Sequence, residues 1–291
     1  MSSIQEIRSR IKTIKNTQKI TKAIKMIATV RLKKAQNNLL ISRVLPSKLE
    51  MVWNILNQLP EFSPTHPLLI QKTPANKIGL LVITSDHGLC GGFNTRIIQK
   101  TKEVLNTTFK NNTVQIISIG NKGKEALKYQ KIPIHHSFEN FFETYSLDKV
   151  SSLVHTLSQH ILSNELDCIF VIYTKLGLSY NTIVELERIL PLPIEQISKK
   201  DTKTTKNVWI FEPNIEDIIQ KVCEMFLLSE LHRIFQESLA CEQLARMQAM
   251  ELATKNADET LQNLTLVFNK TRQELITKEM LEVISGVESL E

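Results

Sequence analysis

Residues 4–30, IQEIRSRIKTIKNTQKITKAIKMIATV, decide the fold that we predict for this chain. Ile4, Ile7, Ile11 and Ile14 follow alternating steps of three and four residues, the spacing of a helix that packs along one seam. We expect the apolar line to continue through Ile20, Ile24, Ile27 and Val30. A single helix cannot bury such a stripe on itself, so this helix needs a partner helix.

The sequence also predicts where this first helix begins and ends. Ser3, three residues ahead of Glu6, has the pattern of a capping box, and neither Gly nor Pro occurs between Met1 and residue 45. Pro46 is expected to kink or break the helix. The apolar pattern resumes over residues 49–56 and stops before Pro60.

The last third of the chain predicts the partner helix. Pro213 and Asn214 mark its start, with Asn214 as the cap and acidic residues in the first turn. No Pro follows, and about 70 residues would make a helix of roughly 105 Å that must project from any small domain. Small residues recur every four positions, which permits close helix packing, and larger apolar residues continue the seam. These are Ala245, Ala249, Ala253 and Ala257, followed by Leu261, Leu264, Phe268 and Leu275.

The middle of the chain alternates strand and helix patterns. Apolar runs at 78–84, 114–119 and 168–173 suit strands buried on both faces, with helical stretches at 94–105 and 148–163 between them. This order predicts a small, mostly parallel sheet. We therefore predict an α/β protein in which N- and C-terminal helices form a long antiparallel coiled coil around an inserted Rossmann-like α/β domain. The predicted segments are 1–59, 75–207 and 208–291, with linkers at 60–74 and 199–206.

Composition narrows the function. Residues 1–48 carry twelve Lys or Arg against Glu6 alone, a net charge of +11, within a chain whose formal net charge is +6. This imbalance favours an acidic partner, which is nucleic acid, anionic lipid or an acidic protein surface. A mitochondrial presequence is a further alternative for such a start. The absence of aromatic residues before Trp53 disfavours single-stranded nucleic acid. No apolar run is long enough to span a membrane, and the four separated cysteines are expected to be buried reduced thiols.

The most conspicuous short motif is SDHGLCGGFN at residues 85–94, between a predicted strand and a predicted helix. It lacks the Lys-Ser/Thr of a P-loop and the glycine order of a dinucleotide fold, so phosphate binding is the weaker interpretation. We expect Gly88, Gly91 and Gly92 to form a tight turn. A nucleophile site built from Asp86, His87 and Cys90 is disfavoured, as is a metal pair at His135 and His136.

Four motifs in this order resemble the γ subunit of F-type ATP synthases, over essentially the whole chain. They are IKNTQKITKAIKMIATVRLKKAQ at 14–36, SDHGLCGGFN at 85–94, CEQLARMQAM at 241–250, and NKTRQELITKE at 269–279 followed by EVISG at 282–286. Three positions depart from the family pattern: Ile24 where Met is usual, His87 where Arg is usual, and Gln243 where His is usual. No insertion with a regulatory dithiol is present between residues 195 and 213.

The resemblance implies a non-catalytic rotor shaft, without cofactor or metal, that couples proton flow through the membrane sector to ATP synthesis. The implied partners are the α and β subunits of the catalytic ring, with the ε subunit and the membrane rotor ring at the base. It also implies a peripheral protein on the cytoplasmic side of a bacterial inner membrane. The subunit contacts that it implies are Lys22, Ile24, Lys25, Arg272, Gln273, Thr277 and Glu279. A basic coiled-coil scaffold for nucleic acid and an enzyme of nucleotide chemistry remain as alternatives.

Overall fold

The computed structural model describes residues 4–42, 44–56, 66–177, 181–192 and 215–288, and its contacts divide the chain into two compact units. The coiled-coil unit contains residues 1–29 and 246–291, and the α/β unit contains residues 30–245. The described helices are α1 (Ile4–Ser42), α2 (Val44–Leu56), α3 (Phe93–Asn106), α4 (Asn121–Tyr129), α5 (Leu147–Leu162) and α6 (Ile215–Glu288). The described strands are β1 (Lys77–Ile83), β2 (Thr113–Ile119), β3 (His136–Phe138), β4 (Cys168–Leu176) and β5 (Thr182–Leu190). The predictions on Ser3, Pro60, Pro213, Asn214 and residues 199–206 lie outside the described residues.

In the coiled-coil unit, α1 and α6 run antiparallel, as predicted. Three polar pairs show it: Gln18 Nε2 donates to Asp258 Oδ1, Thr21 Oγ1 lies 2.8 Å from Thr254 Oγ1, and Lys25 Nζ lies 2.8 Å from Glu251 Oε1. Each step forward along α1 is matched by a step backward along α6. The same register, extended by one residue on each helix at a time, brings Ile4 level with Thr271.

The seam of this unit keeps strict steps of three and four, which corrects part of the sequence prediction. From Ile14 those steps lead to Gln18, Thr21, Lys25 and Ala28, and these residues are less exposed than their neighbours on the outer face. Ile20 and Ile27 were predicted in the seam, but they are 59% and 54% exposed. The prediction followed apolar character across a gap of six residues, whereas the helix keeps its own period and fills the seam with polar and small residues.

The partner side of the seam follows α6. Leu261, Leu264 and Phe268 are half-buried, as predicted, and Ala257 is buried. Leu275 was predicted in the seam and is 40% exposed. The register places Ile4 beside Thr271, so no described residue of α1 lies level with Leu275.

The α/β unit is built on a five-stranded sheet in the order β3-β2-β1-β4-β5. The pairs β1–β2, β1–β4 and β2–β3 are parallel, and β4–β5 is antiparallel. The three predicted strands and the two predicted helices of this segment are confirmed. β3, β5 and α4 were not predicted from the sequence; β3 has only three residues, and Glu185, Glu187 and Arg188 interrupt the apolar character of β5.

Apolar residues from outside the predicted domain complete the core of the α/β unit. Leu68 and Leu69, in a predicted linker, are 0% and 4% exposed, and the backbone N–H of Leu192 donates to Leu68 O at 2.8 Å. Other residues of the same apolar cluster belong to α2 and α6: Trp53, Leu56, Phe226, Leu231 and Phe235. The two compact units therefore do not coincide with the three predicted segments, because the sheet buries its face against the terminal helices.

The kink or break expected at Pro46 stays a prediction. Among the described residues α1 ends at Ser42 and α2 begins at Val44, and Arg43 between them lies outside the described part of the chain. Four cysteines are free and buried, and burial raises the pKa of the Cys223 and Cys241 thiols to about 12. No helix among the described residues is both long and apolar enough to cross a membrane.

Candidate subunit-contact surface

One flank of α1 in the coiled-coil unit forms a continuous basic stripe. Arg8, Lys12, Lys15, Lys19 and Lys22 follow steps of four and three residues, and all five are exposed. Within the described part of the chain, none of them is ion-paired with an acidic side chain. We call these five residues the basic flank. Lys22, a predicted contact, belongs to it and is free to meet an acidic surface.

Lys25, another predicted contact, has an acidic partner within its own unit. Its ammonium nitrogen is 2.8 Å from Glu251 Oε1, and the two side chains are 36% and 61% exposed. The charge of Lys25 is thus shared with a residue of the same unit, which sequence analysis did not single out. Glu251 follows the seam register, so an antiparallel alignment of the two heptad patterns would have found it. Ile24 beside it is half-buried rather than fully available to a partner.

The other flank of α1 is of mixed character. Ile20 is 59% exposed, Ile27 is 54% exposed, and Thr13 lies on the same side of the helix. The same steps of three and four residues lead back to Arg10 and Glu6 on this flank. The coiled-coil unit therefore presents chemically different sides to its surroundings, one basic and one mixed and partly apolar.

The end of α6 carries the other predicted contacts. Arg272, Gln273, Thr277 and Glu279 are all exposed, and every described side chain from residue 272 to 285 is exposed. Thr277 Oγ1 donates to the backbone oxygen of Gln273 at 2.9 Å, which leaves the other three polar side chains directed to solvent. Six large apolar residues share this exposed end: Leu275, Ile276, Met280, Leu281, Val283 and Ile284. We call residues 272–285 the free end of α6.

The turn at residues 85–94 is held together by its own polar groups. Asn94 Oδ1 accepts from the backbone N–H of Ser85 at 3.0 Å, and Asn94 Nδ2 donates to Ser85 Oγ at 2.7 Å. Gly91 has φ of +57°, which favours glycine, and Leu89 has φ of +61°. A Cβ added at Gly88 or Gly92 would meet nothing within 4 Å, so of the three predicted glycines only Gly91 has a conformational reason.

The residues of the disfavoured nucleophile site, Asp86, His87 and Cys90, contact neighbouring groups of the α/β unit. The Asp86 carboxylate accepts from the backbone N–H of Phe142 at 2.8 Å, and His87 Nε2 lies 2.6 Å from Glu143 Oε1. Cys90 Sγ accepts from Asn94 Nδ2 at 3.4 Å. Among the described residues no group of three or more His, Cys, Asp or Glu side chains is placed to hold a metal ion.

Gln243 is the third position that departs from the family pattern. It lies on α6, is 2% exposed, and its Oε1 has no hydrogen-bond partner among the described residues. A buried acceptor without a partner is destabilising, and nothing in the structure explains the choice of glutamine here.

Known proteins of one family match this chain over nearly its whole length. The family model described as ATP synthase matches residues 3–290. The ATP synthase gamma chain of Leptothrix cholodnii is 32% identical over 290 residues, covering 98% of both chains. That of Chloroherpeton thalassium is 33% identical over 306 residues, covering 100% of this chain and 99% of its own.

Solved structures share the fold at lower identity. A chain of the Euglena gracilis mitochondrial ATP synthase (OSCP/F1/c-ring) aligns with a TM-score of 0.67 at 21% identity, covering 99% of this chain and 94% of its own. A chain of the Tetrahymena thermophila mitochondrial ATP synthase (central stalk/c-ring) aligns with a TM-score of 0.61 at 24% identity, covering 80% and 99%. The chain therefore belongs to the ATP synthase gamma chain family, the non-catalytic rotor subunits of the central stalk.

Proposed function

We propose that this chain couples proton flow through a membrane sector to ATP synthesis in a ring of three α and three β subunits, and so regulates ATPase activity and proton flow. The coiled-coil unit would stand inside the ring, with the ε subunit and the membrane rotor ring at the other end of the shaft. Its place would be the cytoplasmic side of a bacterial inner membrane, as a peripheral protein. The bacterial origin of the similar gamma chains supports that location.

The observation that carries this proposal is the free end of α6. Residues 272–285 are exposed throughout and include six large apolar side chains. A helix that is apolar on several sides, and that meets no partner among the described residues of its own chain, is stabilised by burial inside another protein. A ring of surrounding subunits would bury these apolar side chains. The polar contacts within the ring would come from Arg272, Gln273, Thr277 and Glu279.

The unequal flanks of α1 supply the asymmetry that coupling requires. In a three-fold ring, a shaft with one basic side and one mixed, partly apolar side makes different contacts with each β subunit. A contact that favours one state of a catalytic site shifts its population only through differential binding energy. Moving one site from 1:99 to 99:1 needs about 5.5 kcal/mol, which several contacts of this kind can provide together.

Co-expression tests the proposal directly. The chain is produced alone and together with α and β subunits of a bacterial ATP synthase, and solubility, co-purification and ATP hydrolysis are measured. We expect poor solubility alone, and a stable complex with ATPase activity when the three are produced together. A soluble monomer that ignores α and β would contradict the proposal.

The basic flank favours one competing function, a scaffold for nucleic acid. That function predicts DNA binding whose affinity falls steeply with salt, because each neutralised phosphate releases counterions. Titration of the purified chain with duplex DNA at two salt concentrations separates the alternatives.

A further inference from the structure

Arg233 is the centre of a charged cluster that joins α6 to the β4–β5 hairpin inside the α/β unit. Its guanidinium nitrogens lie 3.1 Å from Glu187 Oε1, 2.8 Å from Glu230 Oε2 and 3.0 Å from Glu237 Oε2. Nη1 also donates to the hydroxyl oxygen of Tyr173 at 3.4 Å, and that hydroxyl donates to Glu187 Oε2 at 2.7 Å. Glu230 and Glu237 belong to α6 itself, whereas Tyr173 and Glu187 belong to the hairpin.

The cluster is partly buried. The side chains of Arg233 and Glu237 are 19% and 7% exposed, whereas Glu230 and Glu187 are 23% and 37% exposed. Burial raises the pKa of Glu237, and the guanidinium of Arg233 and a hydrogen bond from the backbone N–H of Leu176 act against that rise. Glu237 is therefore the most buried carboxylate of the cluster and lies directly on the guanidinium of Arg233.

The opposite side of α6 has contacts of another kind. Leu231, Ile234 and Phe235 are fully buried in the apolar core of the α/β unit. Apolar burial is nearly independent of direction, so it holds a helix against a core but specifies its rotation weakly. A planar guanidinium that bridges carboxylates accepts a narrow range of geometries. The cluster therefore restricts the angle of α6 about its own axis more sharply than these apolar contacts do.

We propose that Arg233 is a positioning residue that fixes the rotational setting of α6 on the β4–β5 hairpin, so that torque on the α/β unit passes into α6 without slip. The inference rests on the proposed function of the chain as a rotor shaft. It is specific to that function, because a static scaffold has no need to resist torque about a helix axis.

The test uses the complete ATP synthase, with this chain co-expressed with its α, β and membrane-sector subunits. ATP hydrolysis and ATP-driven proton pumping are measured in the same membranes for Arg233→Met and Arg233→Lys. We expect hydrolysis to be largely retained and protons pumped per ATP to fall roughly three-fold or more in Arg233→Met. Arg233→Lys keeps the charge but loses the planar fork, so its loss should be smaller. An unchanged ratio in Arg233→Met would overturn the proposal.

A third variant separates positioning from folding. Arg233→Met leaves the buried Glu237 and the partly buried Glu187 without their cation, which by itself destabilises the unit. Adding Glu187→Gln and Glu237→Gln removes two negative charges that lack their cation. It does not restore the planar guanidinium. A purely structural role predicts that these changes restore both thermal stability and the pumping ratio, whereas a positioning role predicts that only stability returns. Full recovery of the ratio in this variant would therefore also overturn the proposal.

Arg188→Met is the matched control. Arg188 is on the same strand as Glu187, and its guanidinium donates to Gln71 Oε1 at 2.6 Å. Its replacement should leave the pumping ratio at the wild-type value, and a loss equal to that of Arg233→Met would make the effect nonspecific and reject the inference. If the wild-type chain fails to assemble with α and β, the proposed function fails; if it assembles and the Arg233 variants couple normally, only this inference does.

Discussion

At the scale of single residues, the charge on Lys25 is partly neutralised within the chain. Its ammonium lies 2.8 Å from Glu251 Oε1 in the coiled-coil unit, so an acidic partner must compete with Glu251 for it. Lys22, three residues earlier, is exposed and belongs to the basic flank. Both lysines are predicted contacts by resemblance to the family. We infer that they contribute differently to a contact with β.

A charge swap distinguishes the internal role of Lys25 from an external one. Lys25→Glu places two carboxylates together, and we expect the free energy of unfolding to fall by up to about 1 kcal/mol, since the pair is exposed. Lys25→Glu with Glu251→Lys restores the pair and should restore that stability. If Lys25 also meets an acidic part of β, proton pumping per ATP stays low in the swapped variant. Wild-type coupling in the swapped variant would show that Lys25 has no role beyond its own chain.

The glycines of the α/β unit give a second prediction at this scale. Gly120 has φ of +92°, and a Cβ there would lie 2.3 Å from Thr84 O, so Gly120→Ala should cost roughly 2 kcal/mol or more. Gly91→Ala should cost about 1 kcal/mol for its left-handed backbone. Gly88→Ala and Gly92→Ala should stay within about 0.5 kcal/mol of wild type. Urea denaturation followed by circular dichroism measures all four, and equal losses at Gly88, Gly91 and Gly92 would contradict this account.

At the scale of elements, helices and buried strands could be predicted from pattern, and the details of their faces could not. Long runs without Gly or Pro predicted α1 and α6, and continuous apolar runs predicted β1, β2 and β4. Ile20 and Ile27 were wrongly predicted in the seam because the prediction followed apolar character instead of the helical period. Leu275 was wrongly predicted there because the pattern of one helix does not contain its register with the other. The edge strands β3 and β5 have no continuous apolar run, since they are covered less completely.

The close packing of α1 and α6 makes a prediction about small residues in the seam. Ala28 is 1% exposed and Ala257 is 9% exposed, so Ala28→Leu or Ala257→Leu should force the helices apart at a cost of roughly 1–3 kcal/mol. Ala249 and Ala253 are half-buried, and leucine there should cost less. Ala23 lies on the exposed side of α1, which makes Ala23→Leu the control. Thermal unfolding that does not distinguish Ala28→Leu from Ala23→Leu would rule out this seam.

At the scale of the whole molecule, the charge distribution and the family could be predicted from the sequence. The geometry of the contact surfaces could not. The excess of positive charge in residues 1–48 was readable at once, and four motifs identified the family. Contact residues could be assigned only by resemblance, because the free end of α6 is defined by where α1 stops pairing with it. The similar gamma chains match over 98–100% of this chain, so the match includes both compact units.

The free end of α6 makes the last prediction, which separates stability from function. Met280, Leu281 and Ile284 are 62%, 59% and 56% exposed, so they contribute little to the folded chain alone. Replacing all three with serine should therefore change the free energy of unfolding by no more than about 0.5 kcal/mol. In the complex with α and β, the same side chains would be buried, and each buried apolar side chain contributes about 1.5–3 kcal/mol.

We therefore expect the triple serine variant to lower the yield or the ATPase activity of the co-expressed complex several-fold, while the isolated chain unfolds as wild type. The matched control replaces Lys278 and Glu282 with alanine; these residues lie on the same free end, and their charged groups are 3.7 Å apart. Such an exposed pair is worth about 0–1 kcal/mol, so assembly and activity should remain near wild type. If the triple variant assembles and hydrolyses ATP as well as the control does, the free end is not held by the ring, and the proposed placement of the coiled-coil unit is wrong. If instead the isolated triple variant is destabilised, the apolar side chains serve the fold of this chain, and their exposure has another cause than a partner.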